Sequence, residues 1–145
     1  MVIYADTSFL VSLYGEDTNS EQARTLAHQL SKPFYWTDLV NHECCNAFRL
    51  GQFRGELNAS ECEAFLSCIR EDQTTNILIR TPLDWSEVYR CAEKMAEKYT
   101  PGIGSRSLDI LHVASAQWLD ADCFVSFDRR QNELARNIGL HVENI

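Results

Sequence analysis

No run of apolar residues in this 145-residue chain approaches the length of about 20 that a helix needs to cross a bilayer. The first residues also lack the basic segment and apolar core of a secretory signal, so a cytoplasmic protein with no membrane part is expected. Glycine and proline are scarce, at six and three, and no internal repeat or low-complexity tract is visible, which excludes solenoid, collagen-like and disordered classes. None of the six cysteines (Cys44, Cys45, Cys62, Cys68, Cys91 and Cys123) belongs to a C-x-x-C pair. Zinc-ribbon and redox motifs are thereby excluded, and the adjacent Cys44 and Cys45 suit no disulfide framework. The cysteines read instead as small hydrophobes of the core in a reducing compartment. Neither G-x-G-x-x-G nor a P-loop is present, which counts against a nucleotide-binding module. Positive charge is also short: 13 Lys and Arg face 21 Asp and Glu, a formal net charge of −8. Such a chain is not built to grip nucleic acid nonspecifically over a basic surface.

What is present is 45% hydrophobic and 23% charged residues in a length suited to one domain, 1–145, able to bury about two thirds of its unfolded surface. Short apolar runs alternate with amphipathic stretches. The strand candidates are "VIYA", "FYWT", "NILIR", "CFVSF" and, at the edge, "LHVENI". Between them, helices are expected from Ser8; from Asn19 and Ser20; from Asp38 as a cap, through Val40, Cys44, Ala47 and Phe48 to Gly51; and from Asn58. A long helix beginning near Trp85 is ended by "TPGIG". "SRSLDILHVASAQWL" is apolar on more than one side and reads as a buried helix, and "RRQNELARN" as a short one closed by Gly139. This alternation predicts an α/β fold: three layers, α/β/α, around a mainly parallel sheet of four to five strands.

Four acids fall at unusual places in that plan. Asp6 and Asp128 each end an apolar strand just before a helix, and in open parallel sheets ligands gather at the carboxyl ends of the strands. The two share a rim if their strands are neighbours. Glu43 lies three residues after Val40 and four before Ala47, at the border of a buried helix face. Asp109 opens the most apolar helix, where the positive end of the helix dipole favours an anion. Each position has an ordinary explanation as a cap, a first-turn acid or a surface flank.

Taken together, "VIYADTSFLVSL", "VNHECCNAFRL", "GSRSLDILHVASA" and "FVSFDRRQNELA", in this order and spacing, resemble the PIN-domain nucleases, especially the VapC-type toxins of bacterial toxin–antitoxin pairs. The resemblance covers nearly the whole chain. It implies that Asp6, Glu43, Asp109 and Asp128 surround a divalent metal. It matches Ser8 and Ser126 to hydroxyl residues near the first and last acids, Asn46 to an Asn after the glutamate, and Arg106 to a basic residue before the third acid. It further implies Mg²⁺ or Mn²⁺ dependence, RNA cleavage, a homodimer and inhibition by an antitoxin protein.

The chemistry agrees with the resemblance. Carboxylates converging on one rim repel each other by about 4 kcal/mol per pair at 4 Å and an effective dielectric of 20, so either some protonate or a cation sits among them. Hard oxygen ligands without a His or Cys cluster suit Mg²⁺ or Mn²⁺ better than zinc, and His112 reads as a core residue. Asp6, Asp109 and Asp128 are assigned to the metal, and Glu43 to the attacking water or a second ion. The four acids make up half of the net charge of −8, and a metal offsets them locally. Arg129, with Arg106, is placed to meet substrate phosphates, as Arg49, Arg54 and Arg130 also are. A phosphotransfer protein fits poorly: position 8 is Ser instead of a second Asp, and no lysine follows the last strand. The alternative is a PIN-like module that binds RNA or protein without cutting.

Overall fold

The computed structural model describes all of residues 1–145. In chain order the elements are β1 (Ile3–Ala5), α1 (Thr7–Tyr14), α2 (Ser20–Leu30), β2 (Phe34–Trp36), α3 (Asp38–Phe53), α4 (Ala59–Thr74), β3 (Leu78–Arg80), α5 (Trp85–Ile103), α6 (Ser107–Trp118), β4 (Cys123–Val125) and α7 (Arg129–Asn137). The strands form a four-stranded sheet of order β3-β2-β1-β4. The α/β class with parallel strands, expected from the alternation, is the observed one. The fifth strand is not formed: "LHVENI" contributes one isolated bridge, Phe124 to Val142. An edge segment this short, with only Val142 buried at its centre, has too little apolar surface to hold a longer ladder.

By contact the chain divides into two compact units, Met1–Asp6 with Pro82–Ile145, and Thr7–Thr81. In the first unit, β1 and β4 pair in parallel with Ile3 opposite Cys123, Tyr4 opposite Phe124 and Ala5 opposite Val125. All six are fully buried. Parallel strands covered on both faces carry continuous apolar runs, as these do. Tyr4 stacks on Phe124 with ring centroids 5.8 Å apart, and its hydroxyl shares a 2.9 Å hydrogen bond with Nδ1 of His112. His112 is therefore a partnered core residue. Helix α6 buries every residue from Ile110 to Ala116, which accounts for its apolar composition on several sides. Helix α5 continues through Pro101 to Ile103 and is closed by Gly104, whose φ of 75° is the left-handed conformation glycine adopts without a Cβ penalty.

In the second unit, β2 and β3 pair in parallel, Phe34 with Leu78, Tyr35 with Ile79 and Trp36 with Arg80. The helix cap expected at Asp38 is one residue earlier. Thr37 Oγ1 accepts from the Val40 N–H at 3.2 Å, and Asp38 lies in the first turn, where its charge suits the helix dipole. Helix α3 also runs past Gly51 to Phe53. Asn58 caps α4 as expected and forms a reciprocal box with Glu61, an arrangement worth about 1 kcal/mol.

The cysteines divide by environment. Cys44, Cys62 and Cys123 are buried as expected of core residues, whereas Cys45 and Cys91 are half-buried and Cys68 is exposed, a correction to the uniform core reading. Cys68 falls on the outward side of α4, between buried Leu66 and Ile69 in sequence but off their face. Burial pushes the Cys44 thiol well above its ordinary range and Cys123 up to about 12, with nearby carboxylates adding in the same direction. Since the thiolate is the reactive form, alkylation of the native protein at pH 8 is expected at Cys68 first and at Cys44 and Cys123 only after denaturation. Mass spectrometry of alkylated peptides checks this; Cys44 modified as fast as Cys68 contradicts it.

Candidate metal centre

The junctions after β1 and β4 place the first and last acids. Asp6 follows Ala5 directly, and its N–H donates to the Val125 carbonyl at 3.0 Å, extending the β1–β4 ladder by one rung. The condition for a shared rim, neighbouring strands, is therefore met. After β4 the chain turns through Ser126, which is fully buried; Ser126 Oγ accepts from the Asp128 N–H at 2.9 Å, and its carbonyl accepts from Asn132 Nδ2 at 2.9 Å. Asp128 then caps α7, its Oδ1 accepting from the N–H groups of Arg130 at 2.8 Å and Gln131 at 3.1 Å. Only one of its oxygens is taken up in this way. Asp109 stands in the first turn of α6, three residues beyond Arg106.

Two donors tie the three aspartates together. Gln131 Nε2 donates to Asp6 Oδ2 and to Asp109 Oδ1, both at 3.0 Å, so those oxygens lie no further apart than twice that distance. Arg106 Nε donates to Asp109 Oδ2 at 3.1 Å, and its Nη2 lies 3.8 Å from Asp128 Oδ2. Asp6, only 1% exposed, is at the base of the group, and the guanidinium of Arg106 is at its open side. The hydrogen bond to Asp109, then the charges of Asp109 and Asp128, hold the Arg106 guanidinium above its usual range. Residues 103 positions apart in the chain and more are thus gathered at one point by β1, β4, α6 and α7.

Asp6, Asp109, Asp128, Arg106 and Ser126 accordingly form one constellation, with Arg129 exposed immediately after Asp128. The remaining candidates are in the Thr7–Thr81 unit. Glu43 is half-buried on α3, and its Oε1 accepts from Thr7 Oγ1 at 3.0 Å. Ser8 is exposed on α1, and Asn46 is exposed one turn beyond Glu43. A cavity of about 570 Å³ is lined by Tyr14, His28, Lys32, Asp72 and their neighbours and contains none of the four acids.

Gln131 is the member of the constellation that sequence reasoning missed. Its amide oxygen is buried and has no hydrogen-bond partner, as is also true of Ser105 Oγ next to Arg106 and of Asn132 Oδ1. In this conformation no three acids, imidazoles or thiols close round a common centre, and the Gln131 amide nitrogen stands between Asp6 and Asp109. The chemistry of the donor set nonetheless suits a hard divalent cation: carboxylates from three separate elements, Asp6 and Asp109 joined through Gln131 and Asp109 and Asp128 through Arg106, with an orphaned buried amide oxygen beside the first two.

The PIN domain family profile matches residues 3–137. The chain belongs to the PIN domain family. Among solved structures, Mycobacterium tuberculosis VapC20, described as a Sarcin-Ricin loop cleaving toxin, is similar with a TM-score of 0.65 and 15% identity, over 92% of this chain and 94% of that one. FitAcB from Neisseria gonorrhoeae is similar with a TM-score of 0.66 and 15% identity, over 99% and 97% of the two chains. At that identity the likeness is one of fold, and it places the chain in the three-layer α/β/α architecture of PIN domains. No curated protein matches the chain by sequence.

Proposed function

We propose that this PIN domain is a divalent-metal-dependent endoribonuclease and the toxin of a toxin–antitoxin pair, with Mg²⁺ or Mn²⁺ held by Asp6, Asp109 and Asp128. The single observation that carries the reading is the convergence of those three carboxylates through Gln131 and Arg106. It is supported by membership of the family and by the fold shared with a toxin described as cleaving the Sarcin-Ricin loop. An antitoxin protein as inhibitor, a homodimer and a cytoplasmic setting belong to the same proposal.

The cation, when bound, supplies a Lewis acid for the scissile phosphate and an activated water for in-line attack. The chain's own residues do the rest. Asp6 is fixed by strand backbone and Asp128 by its capping bonds, so two of the three holding groups cost little further ordering when the cation enters. Arg106 is 74% exposed and already drawn to the acids, so it is free to turn its outer nitrogens to a phosphate flanking the cleavage point. Arg129 and Arg130, exposed in the first turn of α7, extend that positive edge. Ser126 keeps the Asp128 turn in shape through its buried hydroxyl. Glu43, Ser8 and Asn46 keep the roles implied by the family resemblance: Glu43 orients the water or holds a second ion, and the other two contact substrate.

With water as nucleophile, cleavage of a folded RNA by the purified protein is expected to require Mg²⁺ or Mn²⁺, to stop with EDTA and to leave 5′-phosphate and 3′-hydroxyl ends. End-group analysis of the fragments decides the mechanism. Cleavage that survives EDTA, or 2′,3′-cyclic phosphate ends, rejects it, and RNA binding without cleavage in either metal selects the non-enzymatic module instead.

A further inference from the structure

The amide of Gln131 occupies the place that a cation shared by Asp6 and Asp109 would need. Its Nε2 donates to one oxygen of each carboxylate at 3.0 Å, the residue is only 4% exposed, and its Oε1 is buried without a partner. These facts define the amide's two ends. The NH₂ end carries partial positive charge and separates two anions; the oxygen end is a hard acceptor of the kind Mg²⁺ and Mn²⁺ prefer, and in this conformation it serves nothing. The two amide hydrogens that now point at Asp6 and Asp109 would repel a cation held by those carboxylates, so the NH₂ end and the cation would exclude each other.

The backbone of Gln131 does not have to move for the exchange. Its N–H is held by Asp128 Oδ1 at 3.1 Å inside the first turn of α7. The terminal side-chain torsion of glutamine, by contrast, is broad and nearly two-fold, and half a turn swaps Nε2 for Oε1. We propose that Gln131 is a further residue of the cation site whose amide exchanges ends on loading: Nε2 toward the carboxylates without the cation, Oε1 toward the cation with it. The inference rests on the reading that a divalent cation sits among Asp6, Asp109 and Asp128. In the empty state Gln131 relieves carboxylate repulsion; in the loaded state it adds an oxygen.

The test uses the full chain, without RNA, and reads metal binding directly. Because the oxygen that Gln131 adds to the loaded site outweighs the repulsion its NH₂ end relieves in the empty one, calorimetric titration with Mn²⁺ is expected to give Gln131→Leu a dissociation constant about tenfold higher than wild type, and Gln131→Glu no weaker binding. In a second measurement on the unmutated protein, the Gln131 side-chain NH₂ resonances are expected to shift saturably with Mg²⁺. Their hydrogens should also exchange with solvent faster once released from the two carboxylates. Gln131→Leu binding Mn²⁺ as tightly as wild type, or NH₂ resonances unmoved at saturating Mg²⁺, overturns the proposal. Asp6→Asn separates the two levels of failure. If it too leaves Mn²⁺ binding unchanged, the cation is held elsewhere and the reading of the centre fails; if it weakens binding while Gln131→Leu does not, only the role of Gln131 fails.

Discussion

Asp6→Asn is expected to lower RNA cleavage by about a thousandfold or more while leaving the fold intact or slightly more stable. The fall follows from charge. Asn keeps the size of Asp and one carbonyl oxygen able to accept from Gln131, but it removes the full negative charge from the most deeply placed of the three acids. If cation binding and transition-state stabilisation together lose about 4 kcal/mol, the rate falls about a thousandfold. Stability moves the other way, because the substitution removes one member of a cluster of like charges tied together by two donors. Initial rates at saturating Mn²⁺, read beside a thermal melt in EDTA, test both halves. A variant that keeps a tenth or more of wild-type activity ends the assignment of Asp6 to the metal. One that loses activity only because it melts well below the wild type leaves Asp6 a structural residue.

The parts of this centre differ in how far they could be read from sequence. Asp6 and Asp128 were legible because strand ends are marked by a change from an apolar run to helical spacing, and the carboxyl ends of adjacent parallel strands face one rim. Asp109 was legible as a first-turn acid on a helix too apolar to be anywhere but inside. Gln131 was not. In "DRRQNELA" a glutamine in the first turn of a short polar helix is ordinary, and its significance arises only because Asp6, 125 positions away, and Asp109 are brought to its amide by other elements. The same limit explains the smaller errors. Thr37 and Asp38 are both good caps by composition, and the choice between them depends on where β2 releases the chain. "LHVENI" has strand-like alternation, but a single bridge at Val142 is all that the edge of β4 accepts. Local pattern specifies elements; which side chains share a point depends on strand order.

Phe124→Ala is the substitution expected to cost the fold most, about 3–5 kcal/mol out of a total that for such domains is about 5–15 kcal/mol. Phe124 is fully buried at the middle of β4, opposite Tyr4 in the β1–β4 register, with the two rings stacked at an interplanar angle of 7°. Truncation removes the stacking and leaves a void against a ring that cannot follow it, because the Tyr4 hydroxyl is held by His112. The consequence extends to the centre. β1 delivers Asp6 and β4 delivers Asp128, so loosening the contact between their central residues separates two of the three acids, and Mn²⁺ binding should weaken along with the urea midpoint. Phe53→Ala is the matched control: its ring is 88% exposed, and its removal should change stability by less than about 0.5 kcal/mol. Equal urea midpoints for the two variants would mean that the β1–β4 pair does not sustain the core, and with it that the distance between Asp6 and Asp128 is set by something other than the packing of these strands.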